Sequence, residues 1–317
     1  MSVTFSITRD DIINYAYQKI GQVPEGGTPN TDQVTKGAFL LNTLVKIWAA
    51  GDGMPLWDLR TGYILPTTGT SSIPLGSGTV NSASSYVSTT TTAASALGAS
   101  TLTVSSITSF ANGTNIGIEL SDSTVQWTTV SGAPAGHTIT LATTLTASVA
   151  SGAQVYGYET ANRLTRPLRI LSGYIYNVVG PSRYPINVIT RDQYFSLGGP
   201  TQANIPNQIY YDPQLGTGQL YVYPQFSTGD NLLQITYHKE FDDFNASSDT
   251  PDFPQEFYLP LTLGLASLLG PDYGLPINER DSLMKTAEFY RDMALSNGAE
   301  TGSLFIGPDW RWTFANK

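Results

Sequence analysis

The chain contains no cysteine. That excludes disulfides, thiolate metal sites and a cysteine nucleophile, and it fits a protein made in the cytoplasm. Charge is scarce as well: 13% of the 317 residues are charged, about half the usual share. Disorder does not explain the scarcity, because aromatics make up 11% of the chain and disordered segments lack them. The composition points instead to a surface largely buried against other protein, or to polar β-structure coated with Ser and Thr. Basic residues are outnumbered 25 to 16, giving a net charge of −9. The densest basic stretch is only Arg163, Arg166 and Arg169. Tight binding to nucleic acid needs a basic surface, so it is not expected here, while weak sliding contact stays open. Histidine is limited to His137 and His238, in no metal-ligand spacing. No run of about 18 apolar residues is present, so no membrane span is expected. Arg9, Asp10 and Asp11 interrupt any signal-peptide core.

Helical patterns occupy both ends. Thr8 is placed to cap a helix whose first turn carries Asp10 and Asp11, favourable at the positive end of the helix dipole. Ile12, Ile13, Ala16, Tyr17 and Ile20 follow at helical spacing, and Gly21 is a stop. Thr31 is a candidate cap for a second helix with an apolar stripe of Val34, Ala38, Leu41, Val45 and Trp48. The two read as an antiparallel hairpin. Near the other end, Asp252-Phe253-Pro254 opens a helix with an apolar face of Leu261, Leu265, Leu268 and Leu269. Pro260 is expected to bend it or delay its start. Pro276 begins a last helix carrying Leu283, Ala287, Tyr290 and Ala294, closed by Asn297-Gly298.

The middle reads as β-structure. Strands are expected at 61–65, 169–178, 184–190, 208–212, 219–223 and 232–239, the last three joined as a meander by turns at 213–218 and 226–230. Between 76 and 158 the chain turns Ser/Thr/Ala/Gly-rich, with Glu119 and Asp122 its only charged residues before the host pattern resumes. Short alternating runs argue against a linker: Leu102 and Val104, then Ile116, Ile118 and Leu120, then Val125 and Trp127. They predict a small β-sandwich or barrel over 94–158, with 77–93 as its lead-in. The fold class is therefore α+β: a helical bundle from both chain ends, a β-rich middle and an inserted small β-sandwich or barrel. The host domain takes 1–75 and 159–317, and the inserted domain 76–158.

Catalytic constellations are few. Walker and nucleophile-elbow patterns are absent. Asp242-Asp243 and Asp249-Thr250-Pro251-Asp252 are carboxylate-rich but lack the Gly and terminal Glu of a calcium loop, and read as a solvated turn that caps the next helix. Glu119 and Asp122 are conceivable as an acid and base pair for glycoside hydrolysis, though they fit a strand and its turn better. No catalytic, cofactor or metal residue is assigned. The aromatic tail carries more: Phe305, Trp310, Arg311, Trp312 and Phe314, broken by Gly307 and Pro308, form no amphipathic helix. They either fold back on their own core or form an arm over 301–317 that anchors on a neighbouring protein.

Two segments carry a family resemblance. One is Ile7-Thr-Arg-Asp-Asp-Ile-Ile-Asn-Tyr-Ala-Tyr-Gln-Lys-Ile-Gly, continuing through Ala38-Phe-Leu-Leu-Asn-Thr-Leu-Val-Lys-Ile-Trp to Gly53-Met-Pro-Leu-Trp. The other is Phe253-Pro-Gln-Glu-Phe-Tyr-Leu-Pro-Leu-Thr-Leu-Gly-Leu-Ala with Pro271-Asp-Tyr-Gly and the helix around Ala287. In pattern and order, over roughly a third of the chain, they resemble the head-to-tail connector (adaptor, or packaged-DNA-stabilising) proteins of short-tailed bacteriophages. The resemblance implies a structural virion protein of the neck, not an enzyme. Twelve copies would form a ring below the portal protein, the C-terminal segment would reach the portal, and the lower face would receive the tail nozzle or tube. Genomic DNA would pass through the channel as cargo. The β-segment 100–158 also looks like a domain of related neck proteins and would decorate the outside, for fibre attachment or ring cementing. A different class stays open beside it: a virion-surface protein that binds glycans or the host through the β-domain's Tyr and Trp residues.

Overall fold

The structure, a computed structural model, describes residues 5–50, 58–180, 182–199, 203–251 and 253–297. The fold is mixed α+β and divides into two compact units. One combines both chain ends, up to Trp57 and from Phe241 onward; the other is the continuous stretch Asp58–Glu240.

The helical unit holds α1 (Arg9–Lys19), α2 (Thr31–Ala50), α4 (Tyr258–Leu269) and α5 (Ile277–Asn297), while α3 (Arg191–Phe195) belongs to the β unit. Thr8 caps α1 reciprocally: its hydroxyl accepts from Asp11 N, and the Asp11 carboxylate accepts from Thr8 N at 2.9 Å. The cap of α2 is Asn30, one residue before the expected Thr31. Asn30 Oδ1 accepts from Gln33 N and Gln33 Oε1 accepts from Asn30 N, both at 2.9 Å. The amide side chain reaches the free N–H of the first turn, and Thr31 becomes the first helical residue. Pro260 sits in the first turn of α4, where its missing N–H has no helical acceptor to lose, and a short 3-10 turn at Gln255–Phe257 precedes it.

Helix α4 is apolar all round, and such a helix must be buried. It packs against α1, α2 and α5 and forms the centre of the unit. The expected one-sided face is thus widened, and Leu268 of that face lies on the exposed side instead. Phe253 stacks on Phe241 at 4.5 Å between ring centres and contacts Phe257. Helices α1 and α2 meet closely at Gly37: a Cβ there would stand 2.7 Å from Ile13 Cγ2.

The β unit contains β1 (Leu59–Ile64), β2 (Ser72–Gly76), β3 (Ser82–Ala83), β4 (Val87–Thr90), β5 (Thr101–Thr103), β6 (Asn115–Glu119), β7 (Val125–Thr129), β8 (Thr138–Thr140) and β9 (Gln154–Tyr158). Then follow β10 (Arg169–Asn177), β11 (Arg183–Val188), β12 (Ala203–Asn204), β13 (Gln208–Asp212), β14 (Thr217–Tyr223), β15 (Gln225–Phe226) and β16 (Asn231–His238). Eight strands form one sheet in the order β2-β14-β13-β11-β10-β16-β1-β3. Its two edge strands are consecutive in the chain, joined by residues 77–81, so the sheet curls into a near-closed barrel. Alternating residues fill it, with Ile64, Ile73, Ile175, Leu220, Leu233 and Ile235 in the core.

The expected meander of the last three strands does not form. β13 and β14 pair, but β16 lies between β10 and β1. Leu232, Leu233 and Ile235 are fully buried, so β16 takes an interior place in the sheet while β14 pairs with β2.

Residues 87–158 make a four-stranded sheet, β4-β9-β6-β7, and a two-stranded one, β5-β8. They share a core that includes Leu102, Ile116, Ile118, Ile139 and Val155. Strand β4 falls inside the stretch expected as lead-in. The chain departs at Ser84 and returns at Asn162, where Ser84 N donates to Asn162 O at 2.7 Å. Tyr156 and Tyr158 are buried in a cluster with Leu65 and Ala83, against which Trp127 packs.

Candidate functional surfaces

The titratable groups singled out from the sequence are dispersed. His137 lies exposed in a turn with φ +67°. His238, by contrast, is buried beside Asp58, with Nδ1 3.3 Å from Asp58 Oδ2. Burial, and after it the nearby Arg169, pushes the imidazole below its usual pKa. A neutral ring next to a carboxylate must place its proton on Nδ1, so His238 donates to Asp58. The pair sits where β1 and β16 meet, since Leu59 lies opposite His238. Its role is to close the two ends of the β unit together.

Glu119 and Asp122 do not act as a pair. The Asp122 carboxylate is locked by Thr124, accepting from its backbone N at 3.0 Å and its hydroxyl at 2.6 Å; these bonds lower its pKa. Glu119 faces elsewhere. It accepts from Gln154 N at 3.2 Å, and a Cβ added to Gly229 would come within 3.2 Å of its carboxylate. Burial raises the Glu119 pKa, with a further contribution from Asp230. Asp249 closes its own turn, accepting from Asn245 N at 2.8 Å and Ala246 N at 2.7 Å, and does not cap the following helix as expected. That 3-10 turn begins at Pro254 without a side-chain cap. Asp243 pairs with Lys46 at 3.0 Å, and Asp252 lies outside the described residues. Among the described residues no group of three or more His, Asp or Glu could hold a metal ion.

The three arginines do not form a phosphate-gripping patch. Arg163 and Arg166 line a cavity of about 540 Å³, but Arg166 is paired with Glu240 at 3.2 Å. Arg163 points its terminal nitrogen at Asn115 Oδ1, 3.5 Å away, and leaves its Nε buried without a partner. Arg169 is exposed at the start of β10. Of the aromatics a glycan-binding β-domain would present, Tyr156 and Tyr158 are buried, and Trp127 is half-buried with its Nε1 donating to Pro66 O at 3.4 Å. The tail residues Phe305, Trp310, Arg311, Trp312 and Phe314, with Gly298, lie outside the described residues.

The helical unit presents something the sequence reading passed over. Of the stripes assigned to the core, Leu41 and Val45 on α2 and Ala287 and Ala294 on α5 are buried, while Val34, Ala38, Trp48, Leu283 and Tyr290 are half-buried. Yet both helices also carry large apolar side chains on the outward face. Phe39 is 70% exposed and Ile47 60% on α2, and Phe289 is 64% exposed and Met293 50% on α5. Phe39, Asn42, Thr43, Lys46 and Ile47 line a shallow groove of about 450 Å³. The available signal was the remainder: apolar residues left over once each core stripe has been drawn. Among the described residues no helix is long and apolar enough to cross a membrane. Compared with protein-family models and with curated proteins, the chain matches none.

Proposed function

We propose that the chain is a structural virion protein: a head-to-tail adaptor that forms a ring between the portal and the tail nozzle or tube of a phage, with DNA passing through its channel. The observation that carries this reading is the pair of outward apolar faces on α2 and α5, on a unit whose core is already filled by α4. A ring subunit meets a neighbour on each side through two different surfaces, and apolar residues left exposed on separate helices are what such a subunit needs. The order of elements, two helical segments from opposite chain ends flanking a β-rich middle, agrees with the connector resemblance. The acidic balance fits a channel that lets DNA slide without gripping its phosphates. In this reading 76–158 is an inserted β-sandwich that decorates the outside of the neck, and 301–317 is the arm that docks on the portal.

Mass photometry of the protein mixed with the portal ring of the same virus tests the reading. The expected outcome is a discrete complex heavier by about twelve subunits, lost when 301–317 is deleted. Absence of a complex at micromolar concentration would sink the adaptor assignment, and docking that survives the deletion would sink the arm.

A further inference from the structure

The inserted sheet meets the barrel at a seam that lies wholly within the β unit. On one side stand the paired strands β6 and β9; on the other is the turn that leads into β16. Tyr156 of β9 is fully buried, and its hydroxyl donates to Gly229 O of that turn at 2.7 Å. Gly229 has little room for a side chain: a Cβ there would stand 3.2 Å from Cγ, Cδ and Oε1 of Glu119. The Glu119 carboxylate therefore lies against the backbone of the turn, with Gln154 N donating to it at 3.2 Å.

Asp230, the next residue along, brings a second carboxylate. Among the described residues no cation answers the pair. The charge acting on Glu119 is that of Asp230, and those acting on Tyr156 are Asp230, Glu119 and Tyr86, all of them acids. Asp230 is held only through its backbone, where its O accepts from Val178 N at 3.0 Å. Two like charges beside a buried phenol repel, and a single proton removes the repulsion. A neutral Glu119 still offers Gln154 N a carbonyl oxygen.

We propose that Glu119 and Asp230 make this seam a proton-operated latch, which closes as Glu119 takes up a proton and loosens as the proton leaves. Opening gives the carboxylate water and distance from Asp230, so the open seam releases the proton more readily than the closed one. Closure is fully favoured below the ordinary carboxylate range, and the advantage is lost as pH rises through the higher value of the closed state. His238, also buried in this unit, is disfavoured by acid, so its effect has the opposite sign and survives substitution of Glu119. The latch belongs to the β unit alone and does not depend on the adaptor reading.

Hydrogen exchange of residues 226–231 in the full chain, read by mass spectrometry and corrected for the intrinsic effect of pH, tests the latch. Protection in the wild type should be at least about threefold greater at about pH 5 than at about pH 8. Glu119→Gln should hold the higher protection at both. Asp230→Asn removes the repelling charge and should move the wild-type transition to lower pH. Equal protection of the wild type at the two pH values would overturn the latch, and so would a wild-type pH dependence kept by Glu119→Gln. A transition left in place by Asp230→Asn would overturn the pairing of the two carboxylates.

Discussion

Glu119 is a carboxylate in a place that disfavours its charge. Burial raises its pKa, Asp230 adds to the shift, and the bond from Gln154 N only partly offsets them. The folded state therefore holds the proton more tightly than the unfolded chain does. Any stability linked to this proton is fully present below the unfolded carboxylate range and is lost as pH rises through the raised folded value. Glu119→Gln keeps an acceptor for Gln154 N and removes the charge, so it should raise the melting temperature at neutral pH. The gain should shrink as the buffer is acidified. A variant equal to or less stable than wild type at pH 7 would show that the carboxylate is not penalised there. His238 runs the other way: its pKa is lowered, so the linked stability is present above the unfolded imidazole range and fades as pH falls through the folded value. The partners of neither residue were placed by the sequence. Glu119 was legible as a strand residue, but Gly229 and Gln154, its neighbours in space, are distant along the chain.

Helices at the chain ends were legible because their signals are local. The Thr8 cap, the buried Ile12, Ile13, Ala16 and Tyr17, and the start of α5 after Pro276 all depend on residues within a turn or two. Pairing was not legible. Leu232 to His238 alternates like its neighbours, yet its place between β10 and β1 depends on strands far away in sequence. The exposed apolar residues of α2 and α5 escaped for another reason: they are what remains once one inward stripe is drawn on each helix. Packing between α1 and α2 can be tested at Gly37. Alanine there gains about 1 kcal/mol of helix propensity, but its Cβ would stand 2.7 Å from Ile13 Cγ2, and overpacking costs about 1–3 kcal/mol. Gly37→Ala should therefore be neutral to destabilising by about 2 kcal/mol in chemical denaturation. In an Ile13→Ala background, where the obstructing methyl is gone, the same change should stabilise. Equal effects in both backgrounds would deny the contact.

Across the whole molecule, the chain's departure at Ser84 and return at Asn162 define where the β excursion can be cut. Replacing 86–160 by a short Gly/Ser bridge should leave the helical ends folded, with helical circular dichroism retained and one cooperative melt. It should also cost stability, because Tyr156 and Tyr158 leave the cluster they share with Leu65 and Ala83. Loss of all cooperative melting would show that the excursion is no independent insertion. Thr35, Thr43, Thr286 and Ser296 each donate their hydroxyl proton inside their own helix, which has a consequence for any contact made through the outer faces of α2 and α5. There a partner in the wrong register is held mainly by carbon contact, since those four hydroxyls have no proton left to donate to it. Mistakes on such a surface are shallow traps that thermal motion can undo.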